Sequence, residues 1–230
     1  MAIREYRYTD PSHWCAAAAA RIAWLLDAAV AERNRASLML SGGNTPAPVL
    51  RALKNAPVDW PKITVSLVDE RLVPPDHADS NQRLVTDTLD PEGLGARFLP
   101  LYSPAASPQA AAEAATRRLA TLPLPLDIVL LGMGDDGHTA SLFAGAPEFE
   151  TALSSDAPIC VCVIPPAASH TRLSLSLPAL LAARHPLLLI SGARKWSVYQ
   201  ESRRRDDPDK LPVSALLHRA THDIELYWHA

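Results

Sequence analysis

The chain has 230 residues, 48% of them hydrophobic and 20% charged, with a formal net charge of -3. That size supplies an ample core for a single domain over residues 1–230, and the balance is that of an ordinary globular protein. The slight negative charge excludes nucleic acid as the expected main partner; the densest basic run, Arg203-Arg204-Arg205, is answered at once by Asp206 and Asp207.

Cys15, Cys160 and Cys162 give neither a disulfide framework nor metal-ligand spacing. The chain opens on no signal-peptide pattern, and no apolar run reaches the ~20 residues of a membrane helix. A cytoplasmic protein without a membrane partner is expected.

In chain order, Asp10-Pro11 is a good N-cap and N1 pair for a first helix, with Ile22, Leu25, Leu26, Ala29 and Val30 on its apolar face. A short strand at 37–40 runs into Ser41-Gly42-Gly43-Asn44-Thr45-Pro46, and a second at 63–68 into Asp69-Glu70-Arg71. A long polar loop leads to Ser80-Asn81, which caps a helix through Leu84 and Leu89. Residues 97–101 suggest a strand, and Ser107-Pro108 opens an alanine-rich helix to about residue 122. Further strands are expected at 127–131, 159–164, 172–177 and 186–190, with a short helix at 178–184. The strand at 186–190 leads through Ser191-Gly192-Ala193-Arg194-Lys195 into a helix, and 223–228 closes the sheet. Alternation of this kind predicts a three-layer α/β/α sandwich around a mostly parallel sheet.

The organising stretch is 130–143, LLGMGDDGHTASLF. It reads as the end of a buried strand, a glycine-rich acidic loop, a histidine and the start of a helix that Thr139 or Ser141 can cap. Gly132 to Gly137 match G-x-G-x-x-G, but Asp135 and Asp136 occupy the loop where a pyrophosphate would need donors. Asp136-Gly137-His138 offers an imidazole beside an orienting carboxylate, the minimum for general base chemistry. A histidine that only braces the turn is the plainer alternative. Its place at a strand end, where open α/β sheets bind ligands, favours the chemical role.

Other strand ends carry a consistent set of groups. Ser41-Gly42-Gly43-Asn44-Thr45 precedes a helix, so its N–H groups and hydroxyls can cradle an anion, although no Walker Gly-Lys-Ser/Thr follows. Arg71, Arg172 and Lys195 lie at three further strand ends. Together these groups suggest a phosphate-bearing ligand.

SGGNTP, VDERLVPPDHADSN, LGMGDDGHTASLF and ARKW, in this order over roughly residues 41–212, resemble the 6-phosphogluconolactonase family, which shares a superfamily with glucosamine-6-phosphate deaminase. The resemblance implies a modified Rossmann-like fold with no required metal or nucleotide cofactor. It also implies hydrolysis of 6-phospho-D-glucono-1,5-lactone to 6-phosphogluconate in the oxidative pentose phosphate pathway. By position, His138 resembles the general base and Asp136 its orienting carboxylate. Ser41, Gly42, Gly43, Asn44, Thr45, Asp69, Arg71, Arg172 and Lys195 resemble substrate-binding positions, and no metal ligand is implied. The expected partner is the small phosphosugar lactone, bound by a monomer or small homo-oligomer. Two departures stand out: His170 lies two residues before Arg172, where a glycine is expected, and the chain ends in YWHA without the alanine-rich tail common in the family.

A lactone carbonyl yields to an activated water, so one base and donors for the oxyanion suffice; a glycine loop or a nearby arginine can supply the donors. The alternatives on this fold are an amino sugar phosphate deaminase or isomerase and a sugar-phosphate-sensing regulator. The deaminases carry a glutamate after the histidine, which Thr139–Ala144 lacks, although the aspartate that shuttles their proton is matched by Asp69. A regulator would need a DNA-binding helical module, and only one helix is expected in the roughly 35 residues before the first strand.

Overall fold

The computed structural model describes residues 2–230. Its first strand, β1 (Ile3–Tyr8), lies before the first helix, α1 (Pro11–Arg33), where the sequence suggested only a helix. β1 sits at a sheet edge and its charged, partly exposed residues hide it from an apolar-run reading. Asp10 caps α1, accepting from the Ser12 and His13 N–H groups at 2.6 and 3.1 Å.

The chain continues through β2 (Ala36–Leu40), α2 (Pro46–Lys54), β3 (Ile63–Leu67), β4 (Asp69–Arg71), α3 (Asn81–Thr88), β5 (Arg97–Phe98), α4 (Pro108–Leu119) and β6 (Ile128–Gly132). Then follow α5 (Phe149–Leu153), β7 (Cys160–Val163), β8 (Arg172–Leu175), α6 (Leu177–Leu181), β9 (His185–Ser191), α7 (Gly192–Ser202), α8 (Val213–Arg219) and β10 (Ile224–His229). Seven strands form one sheet in the order β1-β10-β9-β6-β2-β3-β5, every neighbouring pair parallel. Helices cover this sheet, giving the expected three-layer architecture, and β2 is buried along its whole length.

Three further features depart from the sequence reading. A second, antiparallel sheet, β4-β8-β7, stands beside the parallel one. The strand expected at 97–101 shrinks to the two residues of β5. Finally, α1 is long and apolar enough to span a membrane by length and composition. Its alanines raise hydropathy, while Arg21 and Asp27 interrupt the apolar stretch; Trp14, Ile22, Leu25 and Leu26 bury it as a core helix.

Two connections position the site. From β2 the chain passes through α2 to β3, while from β6 it travels to β9 on the opposite side. The ends of β2 and β6 therefore diverge, leaving the crevice in which such sheets bind ligands. Ser41 stitches the two ends together: its N–H donates to the Leu130 carbonyl at 3.0 Å, and its Oγ accepts from the Gly132 N–H at 3.2 Å. Val68 joins the two sheets, its N–H donating to Leu40 at 2.9 Å and its carbonyl accepting from Leu175 at 2.8 Å.

At the other end of the sheet, Asp127 is 3% exposed. It accepts from the Ser37 N–H at 2.9 Å, the Ser37 hydroxyl at 3.2 Å and Arg33 at 2.7 Å, tying β6 to β2 and to the end of α1. Removing the carboxylate strands a buried N–H and leaves Arg33 with only the exposed Glu32 as its partner. Asp127→Ala is expected to cost about 3 kcal/mol in urea denaturation while leaving the activity of the folded fraction intact. A loss below about 0.5 kcal/mol would show that the clamp contributes nothing to stability.

Candidate active site

A cleft of about 300 Å³ opens at the β2/β6 crevice. Its walls include Ser41, Gly42, Gly43, Asn44, Thr45, Asp69, Arg71, His138, Arg172 and Lys195. All the candidate residues read from the sequence thus meet in one place, except Asp136, which stands behind His138.

The histidine loop is built differently from its sequence reading. No helix starts after His138: Ala140 adopts φ 49°, Thr139 pairs with Leu142 in an isolated bridge, and the next helix begins at Phe149. The two hydroxyls expected to cap a helix are used elsewhere. Thr139 Oγ1 donates to the Gly132 carbonyl at 2.9 Å, and Ser141 Oγ donates to Asp69 Oδ2 at 2.6 Å. A dinucleotide fingerprint needs a helix N-terminus behind the glycines, so its absence removes that reading. Asp135 pairs at 3.5 Å with Arg194, on the first turn of α7, and does not line the cleft.

His138 Nδ1 lies 2.6 Å from Asp136 Oδ1, and the same oxygen accepts the His138 N–H at 3.2 Å. The hydrogen bond from His138 holds the Asp136 carboxyl down at about 2, against the opposing effect of partial burial. An ionised carboxylate at that distance fixes the proton on Nδ1 and leaves Nε2 as the basic nitrogen. Phe143 packs on the imidazole with ring centroids 4.4 Å apart. Gly134 makes the pair possible, since a Cβ there would lie 2.2 Å from His138 Cε1 and Nδ1.

The opposite wall is cationic. Arg71 and Arg172 face each other directly across the β4–β8 pair. Like charges so placed repel. Arg172 is 9% exposed, and burial first, then the neighbouring Arg71, pull its pKa below the usual guanidinium value. The Nε of each arginine is buried without a hydrogen-bond partner among the described residues. Such unspent donors suit a bidentate anion. The turn at 42–45 adds N–H groups that make no backbone hydrogen bond among the described residues. Pro46 and Pro48 open α2, so these turn donors stand in for N–H groups that the helix start lacks.

Strand alternation sorts Asp69-Glu70-Arg71. Asp69 and Arg71 line the cleft, whereas Glu70 points away and is fully buried. Glu70 accepts from the N–H groups of Arg71, Asn81 and Gln82, each at 2.7 Å, and from the Ser80 hydroxyl at 3.1 Å. Burial pushes its pKa up while those backbone donors pull against it. It thus anchors the start of α3 to β4.

Asn81 is the main residue the sequence reading passed over, treating it only as part of a cap. It is 2% exposed; Nδ2 donates to the Asp69 carbonyl at 2.8 Å, and Oδ1 accepts from Arg71. A Cβ at Gly42 would lie 1.8 Å from Asn81 Oδ1, so that glycine is needed for the bracket to fit. The only signal in the sequence was an amide following a serine cap.

Residues 9–228 match the family profile described as glucosamine-6-phosphate isomerases/6-phosphogluconolactonase. The chain is 41% identical to a 6-phosphogluconolactonase of Rhizobium meliloti (strain 1021), covering 99% of each protein. It is 44% identical to a 6-phosphogluconolactonase of Pseudomonas aeruginosa, covering 92% of this chain and 88% of that one. Among solved structures, a 6-phosphogluconolactonase from Shewanella baltica superposes with a TM-score of 0.95 at 35% identity, covering 99% of this chain and 98% of that one.

The opposed guanidiniums carry a direct prediction. Inorganic phosphate at ten times its Kd should stabilise the protein by about 1.4 kcal/mol, a rise in Tm of roughly 4 °C. Arg172→Ala should lose most of that rise in a thermal melt. An undiminished response would place the anion elsewhere.

Proposed function

The chain belongs to the glucosamine-6-phosphate isomerase/6-phosphogluconolactonase family, and from that footing we propose that it hydrolyses 6-phospho-D-glucono-1,5-lactone to 6-phosphogluconate in the oxidative pentose phosphate pathway. The observation that carries the reading of the site is the pairing of the His138–Asp136 dyad with two partnerless guanidinium Nε groups in a single cleft. The same reading takes the chain as one domain acting in the cytoplasm, as a monomer or small homo-oligomer.

In this reading His138 Nε2 removes a proton from water as the oxygen attacks the lactone carbonyl. Asp136 holds the ring and stabilises the imidazolium that forms. The tetrahedral intermediate then collapses with cleavage of the ring C–O bond, and the imidazolium returns its proton to the departing hydroxyl. Arg71, Arg172, Lys195 and the 42–45 turn hold the phosphate. That group is remote from the reacting carbon, so its binding energy serves to position the lactone. Asp69, fixed by Ser141 and Asn81, offers the sugar a preset acceptor.

The decisive experiment is a lactonase assay on freshly generated 6-phosphogluconolactone with spontaneous hydrolysis subtracted. Activity equal to that background would reject the assignment. Ammonia release from glucosamine 6-phosphate at a comparable rate would instead favour a deaminase. His138→Asn should lower turnover by about 10²–10⁴-fold. Its Tm should barely move, because the side chain is 32% exposed and sits in a loop. Unfolding of the variant would make His138 a brace.

The carboxylate of the dyad adds no step of its own to the pH profile above about 2. A depressed pKa means that Asp136 is charged at every pH above about 2, and loses its charge only as pH falls through that value. Asp136 should therefore add no step to the acid limb: at saturating lactone, log turnover against pH should fall with a slope no greater than one. A slope of two would reveal a second titrating group.

A further inference from the structure

Two loops distant in sequence meet at the rim of the cleft. One runs from β4 to α3 and carries His77 and Asp79; the other joins β7 to β8 and carries His170. They are tied by the Leu72 N–H donating to the Thr171 carbonyl at 2.8 Å. His170 Nε2 lies 3.0 Å from Asp79 Oδ2, across 91 residues of sequence. His77 Nδ1 lies 3.8 Å from the same oxygen, and the two imidazoles meet edge to face at 5.6 Å. One donor atom from each residue falls within 4.8 Å of the other two. None of the three lines the cleft, and the proposed hydrolysis uses none of them.

We propose that His77, Asp79 and His170 form a binding site for a divalent transition cation of the zinc class, with the remaining position open to water. Two imidazoles and a carboxylate are the ligand set such ions prefer, and three protein ligands leave one tetrahedral position free. With metal–ligand bonds of about 2.1 Å, ligand atoms in a tetrahedral site stand about 3.4 Å apart. One observed separation, 3.0 Å, is already shorter; the 3.8 Å one closes by about 0.4 Å and the third, within 4.8 Å, by at most about 1.4 Å, through rotation of the side chains. His77 Nδ1 now accepts the Asp79 N–H at 3.1 Å, so that nitrogen presents the unprotonated lone pair a metal requires. The ion would displace one hydrogen bond of an exposed loop.

The neighbouring charge sets the strength of the site. Arg71 Nη1 donates to the Asp79 carbonyl at 3.0 Å, and its positive charge opposes a cation nearby. The site is therefore a weak, exchangeable one. Its occupancy would lock the two loops together beside a cation of the cleft.

The test is titration of the metal-free protein with Zn²⁺ by calorimetry, and with Co²⁺ in the visible region. One equivalent should bind, with the absorption of low-coordinate cobalt. His77→Ala and His170→Ala should each weaken Zn²⁺ binding about tenfold or more and abolish the cobalt band. His222→Ala, at the opposite end of the sheet, should change neither. Circular dichroism identifies any variant that fails to fold; there Asp79→Asn, which keeps the shape of the side chain, serves instead. Binding of equal strength in wild type and folded variants, or no binding below millimolar metal, would overturn the proposal.

Discussion

The structure depends on the divergence of two adjacent parallel strands. β2 and β6 run side by side, yet the chain leaves them in opposite directions, so no helix can cover the gap between their ends. Backbone donors at such a gap need partners, and the Ser41 hydroxyl supplies one across the seam. The glycine turn hangs from one lip of the gap and the histidine loop from the other; Lys195 enters from the next strand over. A ligand placed there faces groups fixed by strands, and needs no separate lid to assemble them.

The second constraint is electrostatic. Placing Arg71 opposite Arg172 costs free energy in the empty protein. Carboxylates around the pair offset that cost without filling the site. Asp69 and Glu70 directly precede Arg71, and the Asp79 carbonyl and the Asn81 side-chain oxygen accept from its guanidinium. The Arg71 fork is thereby held in place, while the buried Nε of each arginine stays unspent among the described residues.

Most of the site was legible because its residues cluster at strand ends, and strand ends announce themselves by glycine, by hydroxyl residues and by the end of an apolar run. The alternation of Asp69, Glu70 and Arg71 was equally readable in principle, since a period of two puts the outer pair on one face. What stayed hidden depended on distant partners. Thr139 and Ser141 look like helix caps until Gly132 and Asp69 claim their hydroxyls. The antiparallel sheet is invisible because β4 has only three residues, all polar, and takes its strand form from β8. Asn81 has no local signature for a bracket between Gly42 and Arg71. Likewise, His170 becomes a neighbour of His77 only once β4 and β8 have paired.

The backbone of Val68 belongs to both sheets at once, with its N–H committed to β2 and its carbonyl to β8. The wall bearing the two arginines therefore cannot swing relative to the histidine loop without breaking one of those bonds, and Ser141 on Asp69 adds a second tie across the same joint. A jaw hinged at this point would be stiff. A sugar entering such a cleft would meet a fixed gauge, and tolerance for an altered ring or a shorter chain would have to come from the ligand's own flexibility.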